Sequence, residues 1–388
     1  RQWEKEVRKF TYLEPIRLEG GRSGRAWQFQ NSSASIFITN YELLQRDPEY
    51  LGKEWDIVIL DEAQEIKTFS TRAARISKRL RAKFKWALTA TPLENQLPEL
   101  HSILEFISPG VLGSWGEFER IYVKRDLFGK IVGYNRLDQL KEIIKPYFLR
   151  RRVEDCLTDF TPKETKIARM DFTSGQKMVY NDVGKRVIQF SNEGRALAIN
   201  SSQRMNQVGY LRQACDDTRL ISPELVCPCA KTPWLKALIA DIKDRGEKAV
   251  IFTEWERMAR YIASEIGTDC LLHGKLNFGM RHSILERWEG GDQSLVTTDC
   301  SNVGLNLQSA NWLINYEMHW NPAVMKQRAG RVWRLTQEKV VHVRAPLING
   351  SIEERVIATL AGKTDLFKTV IDSLASEAVK VSRYDRGT

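Results

Sequence analysis

Four stretches in the later part of the sequence, KAVIFTEW (248–255), TDCLLHGKL (268–276), QSLVTTDC (293–300) and ANWLINYEM (310–318), each hold a short apolar run that ends in polar residues. A strand with one wet face alternates apolar and polar side chains, whereas a strand buried on both faces reads as a continuous apolar run. These runs are of the second kind, and helical patterns lie between them. That alternation calls for a parallel sheet covered by helices on both sides. VVHVRAPLI (340–348) supplies a further strand, and SIEERVIATLAGKTDLFKTVIDSLA (351–375) is expected to close the region as a long helix. The chain opens in the same style, since SIFITNYELL (35–44), DIVILDE (56–62) and FKWALTATP (84–92) each read as a strand followed by a turn or helix. STRAARISKRLRAK (70–83) reads as a basic amphipathic helix with a solvated outer face.

Between the two α/β regions the character changes. IYVKRDLFG, LDQLKEIIKPYFLRRRVEDCL and SGQKMVYNDVGKRVIQFS are charged and read as helical, with few strand signals. A stretch of that length is too long for a structureless connector. With 388 residues, more than one core is expected. The expected organisation is a first α/β lobe at 1–114, a helical insertion and linker at 115–230, and a second α/β lobe at 231–388.

The formal charge of +10 fits a polyanionic partner. Six cysteines scattered over this length do not make a disulfide framework. Cys227-Pro-Cys229 lacks the second pair that a structural zinc would need, with Cys215 the one other cysteine nearby, so no zinc is expected. The sequence has no run of 18 or more apolar residues and no opening signal peptide, which points to a soluble, intracellular protein without a membrane partner.

In doubly wound sheets, ligands gather at the carboxyl ends of the strands. There DIVIL delivers Asp61 and Glu62. An acidic pair in that place suits nucleotide hydrolysis, with one carboxylate holding Mg²⁺ through water and the other polarising the attacking water. Gln64 can hydrogen-bond across such a site to report the γ-phosphate. The same pair could merely favour a helix N-terminus. Downstream, Thr89-Ala90-Thr91-Pro92 ends another apolar run; its hydroxyls could relay a change at the phosphates, or could simply stop a strand. In NPAVMKQRAGRVWRLTQ (321–337), Arg328, Arg331 and Arg334 recur at three-residue spacing, so a helix places them on one face. Three guanidinium groups on one face repel one another unless an anion lies opposite, and a phosphate chain suits their planar fork. Gly330 permits close approach. A solvated basic face is the plainer alternative.

Residues 36–42, 56–67, 86–100, 250–255, 298–308 and 315–335 together resemble the ordered motifs of superfamily 2 helicase-type ATPases, and more narrowly those of Swi/Snf-family double-stranded-DNA translocases. DEAQ resembles their Walker B motif, TATPLEN motif III and TTDCSNVGLNLQ motif V. INYEMHWNP followed by QRAGRVWR resembles the block that carries the arginine fingers. FLRRRVEDCLTDFTPKET and LRQACDDTRLI resemble family features between the lobes. The resemblance implies two RecA-like lobes joined by a helical linker, with ATP and Mg²⁺ used between them. It implies Asp61 and Glu62 as the metal and water-activating carboxylates, Arg331 and Arg334 as fingers, and Gly304, Gln327 and Arg328 near the nucleotide. It further implies that Thr39, Thr91, Thr253, His273, Gly274, Thr298, Ser301 and Trp320 lie along duplex DNA, although Trp320 reads equally well as a packing aromatic. The cellular address would follow the organism: cytoplasm and nucleoid in a prokaryote, the nucleus in a eukaryote. A protein cargo or appended domains would set its task.

The sequence departs from the family at Trp333, where histidine is usual, and at Thr336 and Asn302, where glycine is usual. The first two stand beside the fingers, so an altered coupling of hydrolysis to DNA is expected. A phosphate loop of the form G-x-x-x-x-G-K-[S/T] is missing. Gly362-Lys363-Thr364 has Ile357 where the first glycine belongs and falls in the terminal helix. RQWEKEVRKF resembles the helix that follows motif Ia, so the first lobe is expected to lack its opening strand and loop, and the chain by itself is not expected to turn over ATP. Two other readings stay open: a non-catalytic DNA- or partner-binding module that kept the fold, and a strand-separating or RNA-directed ATPase of the same superfamily.

Overall fold

The computed structural model describes residues 2–90, 92–93, 96–150, 161–192, 201–299, 305–334 and 337–360. These fall into two compact units, the first ending before residue 151 and the second beginning at 161. Among the described residues, no helix is long and apolar enough to cross a membrane.

The first unit contains two parallel strand pairs, β1 (Pro15–Arg17) with β2 (Ile36–Ile38) and β3 (Glu54–Leu60) with β4 (Arg81–Ala87). Helix Tyr41–Arg46 begins after Asn40, whose side chain accepts from the Leu43 amide. Helix Arg72–Arg79 begins after Thr71, which caps the Ala74 amide in the same way. That helix is shorter than the 70–83 expected, because Arg81 already enters β4. Ala63, Ile66, Ile103 and Phe106 close a core beneath the end of β3. On β3 and β4, Ile57 pairs with Phe84 and Ile59 with Trp86, which puts four half-exposed apolar side chains on one face.

The helical block expected at 115–230 is divided between the units. Phe118, Tyr122, Val123, Leu140 and Ile144 pack with Leu97, Leu100 and Leu104 in one core of the first unit. Within this part, IYVKRDLFG is a hairpin rather than a helix: β5 (Val123–Arg125) runs antiparallel to β6 (Ile131–Tyr134). The reason is local. Asp126 accepts from the Phe128 and Lys130 amides, and Gly129 takes a positive φ of 77° that closes the turn.

A buried ion pair staples the outer part of this unit. Arg25 donates from Nε and Nη2 to Asp47 at 2.7 and 2.8 Å, and Tyr50 adds a third hydrogen bond. The Arg25 hydrogen bonds hold the Asp47 carboxyl below its ordinary range against the opposing effect of burial. A carboxylate with a lowered folded pKa stabilises above its unfolded value, near about 3.9, and loses that contribution as pH falls through the folded value. Acid titration of unfolding is therefore expected to show a limb below about pH 4. In Asp47→Asn that limb should flatten and stability at neutral pH should drop, because Arg25 is left buried without its carboxylate.

The second unit is a six-stranded parallel sheet in the order β7 (Lys163–Met170), β12 (Val341–Ile348), β11 (Trp312–Asn315), β8 (Ala249–Thr253), β10 (Ser294–Thr298), β9 (Leu271–Leu272). Strands β8, β10 and β11 are buried along their whole length, as continuous apolar runs demand. Strand β7 escapes that signature. Lys163, Glu164, Lys166 and Arg169 interrupt it, as suits an edge strand whose outer side must discourage pairing. Helices Lys231–Asp244 and Glu256–Ile266 cover one face through Leu235, Ile239, Met258 and Ile262. Trp288, Leu307 and Val332 cover the other. Only residues 352–360 of the expected closing helix are described. The connection from β10 to β11 passes across β8, so the strand order reverses there and the carboxyl ends of β8, β10 and β11 meet at a switch point.

Candidate functional site

The first unit presents its carboxylates where β3 stops. Leu60 is buried and Asp61 is exposed, so the chain leaves the core within one residue. Glu62 then takes a left-handed backbone, φ 49° and ψ 52°, an arrangement costly for a residue with a Cβ. Buried Ala63 and Ile66 anchor the following turn; Ser102 donates to the Ile66 carbonyl at 2.6 Å, and Lys78 donates to Ser102. Asp61 is steadied from two sides, with Trp3 Nε1 2.7 Å from Oδ2 and its carbonyl accepting from Tyr41 at 2.8 Å. Burial, then the carboxylates Glu65, Asp61 and Glu62, push the Tyr41 phenol well above its ordinary pKa, so it stays a donor.

Gln64 joins the site to the next strand. Its Nε2 donates to Glu62 Oε2 at 2.7 Å, and its Oε1 accepts from Thr89 Oγ1 at 2.7 Å. Both bonds use the amide in one orientation, so a movement of Glu62 reaches Thr89 without a free rotor between. An all-oxygen donor pair at Asp61 and Glu62 fits Mg²⁺, which takes one or two carboxylates and leaves its other positions to water and phosphate. Thr39 is exposed just past the end of β2. Thr91 lies outside the described residues.

In the second unit, helix Pro322–Val332 carries the arginines past the switch point. Arg328 does not face outward. Its guanidinium is 2% exposed, grips Asp299 from Nε and Nη2 at 2.7 and 2.5 Å, and reaches Asn315 at 3.1 Å. Expected near the nucleotide, Arg328 here ties the helix to the ends of β10 and β11 through Asp299 and Asn315. Arg334 differs. It donates only to the carbonyls of Gly330 and Leu305 and meets no carboxylate among the described residues. Burial and the neighbouring charge of Arg331 both lower its pKa from the ordinary arginine value. Like charges placed this close disfavour each other's charged form. Gln327 is part-exposed on the same helix.

Other expected contacts turn inward. Thr253 and Thr298 are buried at 0% and 3% exposure, because the ends of central strands remain within the core. His273 is also buried, with Nε2 3.3 Å from Arg260, and burial lowers its pKa. Gly274 is exposed beside it and accepts from Arg281. Trp320 is partly buried and packs against Cys215, Ile348 and Ile352. Trp333 donates from Nε1 to the Thr161 carbonyl at 2.8 Å and lies under Lys163, whose Nζ is 3.9 Å from the ring. Gln337 fastens the same corner by donating to the carbonyls of Gln308 and Ala310. Ser301, Asn302, Gly304, Thr336 and Gly362-Lys363-Thr364 lie outside the described residues. Cys227 and Cys229 sit with Sγ 3.2 and 3.9 Å from Thr218 Oγ1.

A buried network beneath the switch point had no sequence forecast. Lys231, fully buried, donates to Asp216 at 2.8 Å, to Glu353 at 2.5 Å and to the Tyr316 carbonyl at 3.1 Å. Burial alone would lower its pKa, but Asp216 and Glu353 overcome that and raise it. Glu317 beside it is pushed up by burial first and Asp216 second; its Oε1 accepts from the Glu254 amide. Asp299 could have been found from sequence, since it follows an apolar strand just as Asp61 does.

The SNF2-related domain model matches residues 1–220, more than half of the chain, and the helicase conserved C-terminal domain model matches 230–336. The chain belongs to the SNF2-related family. This family uses ATP. The chain is 29% identical over 396 residues to a Bacillus subtilis protein named as an ATP-dependent helicase/translocase, YwqA, covering 96% of this chain and 42% of that one. It is 27% identical over 398 residues to human chromodomain-helicase-DNA-binding protein 1, covering 96% and 23% respectively. The chain thus spans less than half the length of either relative. Among solved structures, a Sulfolobus solfataricus SWI2/SNF2 ATPase core in complex with dsDNA matches with 28% identity and a TM-score of 0.46, over 96% of this chain and 80% of that one.

Proposed function

We propose that this chain is the motor core of an ATP-dependent translocase that moves along double-stranded DNA without separating the strands. The observation that carries the reading is the hydrogen-bonded chain Glu62–Gln64–Thr89, which ties a carboxylate suited to water activation to the strand end where the family's coupling motif stands. ATP with Mg²⁺ supplies the phosphoanhydride whose hydrolysis drives the cycle. Asp61 would hold the metal, and Glu62 would accept the proton of the attacking water. Arg334, held by carbonyls rather than by a carboxylate among the described residues, offers its planar fork to the phosphates. A DNA partner is supported by the +10 charge and by the human relative named as a DNA-binding protein. Backbone-directed binding of this sort is steeply salt-dependent and sequence-tolerant.

The test is ATP hydrolysis by the intact protein with and without duplex DNA, beside Glu62→Gln. Duplex should stimulate turnover, and the variant should lose on the order of 10²- to 10⁴-fold while still binding duplex. If neither protein hydrolyses ATP while both bind DNA, the chain is a binding module. Stimulation by single strands alone would favour the strand-separating reading.

A further inference from the structure

The β5–β6 hairpin has a part that neither fold nor hydrolysis explains. Its root is rigid: Tyr122 and Val123 are buried, the Tyr134 hydroxyl accepts from the Leu97 amide, and Asn135 donates to the Tyr122 carbonyl. Its tip is pre-organised by the Asp126–Gly129 turn. That turn holds Leu127 and Phe128 in water at 100% and 95% exposure. A rigid arm displaying two fully wet apolar side chains is costly unless something receives them.

The flanks indicate what. Between Glu119 and Arg136 stand five basic residues and two acidic ones. Both carboxylates are engaged locally, Glu119 by Arg125 and Asp126 by the turn amides. Arg120, Lys124, Lys130 and Arg136 form no ion pair among the described residues, and all four are exposed. At the root, Arg120, Ile121, Asn135 and Arg136 line an open pocket of 650 Å³. Among the described residues, Arg136 is one of two non-glycine residues with positive φ, 49°; the other is Glu62. Strain of this kind survives where the surroundings impose it, and it gathers at functional sites.

We propose that this hairpin is a DNA-contacting arm: a backbone phosphate seats between Arg120 and Arg136 while Leu127 and Phe128 enter the groove against the bases. The reading rests on the duplex-DNA motor proposed above. Root and tip are roughly 15 Å apart at about 3.3 Å per residue, a span that carries a side chain from the backbone to the bases of a groove about 8.5 Å deep. A two-stranded ribbon fits the major groove. Apolar tips serve in such a place because base methyls and stacked faces accept them.

Duplex binding by the intact protein is measured across a salt series without nucleotide. The double variant Arg120→Ala/Arg136→Ala should flatten the slope of log affinity against log salt by about 1, the loss of one phosphate contact. The variant Leu127→Ser/Phe128→Ser should weaken binding roughly tenfold with the slope unchanged. Both should keep the wild-type melting temperature and DNA-free ATPase rate, since every altered side chain is exposed. Wild-type slope and affinity in both variants would overturn the arm while leaving the motor reading intact. A polar tip that changes only the oligomeric state would overturn it in favour of a protein partner. A wild-type protein that binds no duplex overturns both readings together.

Discussion

Arg334→Ala in the intact protein is expected to reduce duplex-stimulated ATP turnover about 10³-fold or more, the scale at which arginine fingers act in phosphoryl transfer. Among the described residues Arg334 meets no counter-ion: its hydrogen bonds go to the Gly330 and Leu305 carbonyls, and Arg331 presses on it electrostatically. A charge kept in that state gains most when phosphate charge develops opposite it. Arg334→Lys should not restore turnover, because an ammonium cannot match the planar fork. Steady-state kinetics decide the matter. Turnover within a few-fold of wild type in the alanine variant, with duplex binding retained, would remove Arg334 from the chemistry. Arg328→Ala offers the contrast. Its loss frees Asp299 inside the unit, so it should lower the melting temperature as well as the rate.

The second large effect is on stability. Lys231→Met is expected to cost about 3–5 kcal/mol, because Asp216 and Glu353 would be left facing one another without a cation. For a unit of this size the melting temperature should fall by roughly 10 °C or more. The lysine joins helix Lys231–Asp244 to the end of helix Ser201–Asp216, to Tyr316 just past β11 and to Glu353 beyond β12, so its removal loosens several elements at once. Neutralising all three partners together, in Asp216→Asn/Lys231→Met/Glu353→Gln, should recover much of the loss, since the cost lies in the uncompensated charges. Denaturant unfolding of both variants is the measurement. A single variant that loses under about 1 kcal/mol would show that water or rearrangement already relieves the carboxylates.

The strands of the second sheet were legible because burial on both faces leaves little room for polar side chains. AVIFT, SLVTT and WLIN could scarcely be anything but central strands. The same rule hid β7, where charges at Lys163, Glu164, Lys166 and Arg169 imitate a solvated helix; only pairing with β12 across eight residues makes it a strand. The hairpin at 123–134 was hidden in a similar way, since a turn built on Asp126 and Gly129 needs few residues and leaves its apolar side chains exposed.

Local sequence thus determined that two α/β units carry acidic and arginine-rich motifs at strand and helix ends. Periodicity and strand-end polarity are properties of neighbours in the chain, and they survive without tertiary information. Tertiary structure decided which of those motif residues are available. Arg328 and Arg334 stand six residues apart in one motif and look alike in sequence, yet among the described residues Asp299 pairs with the first while carbonyls meet the second. Thr253 and Thr298 end their strands as Thr39 follows its own, but central strands enclose the first two and leave the third in water. A side chain's exposure and counter-ion are set by segments far away in the sequence. No local pattern carries that information, because Asp299 is 29 residues from Arg328, and of the two carboxylates on Lys231 one is 15 and the other 122 residues off.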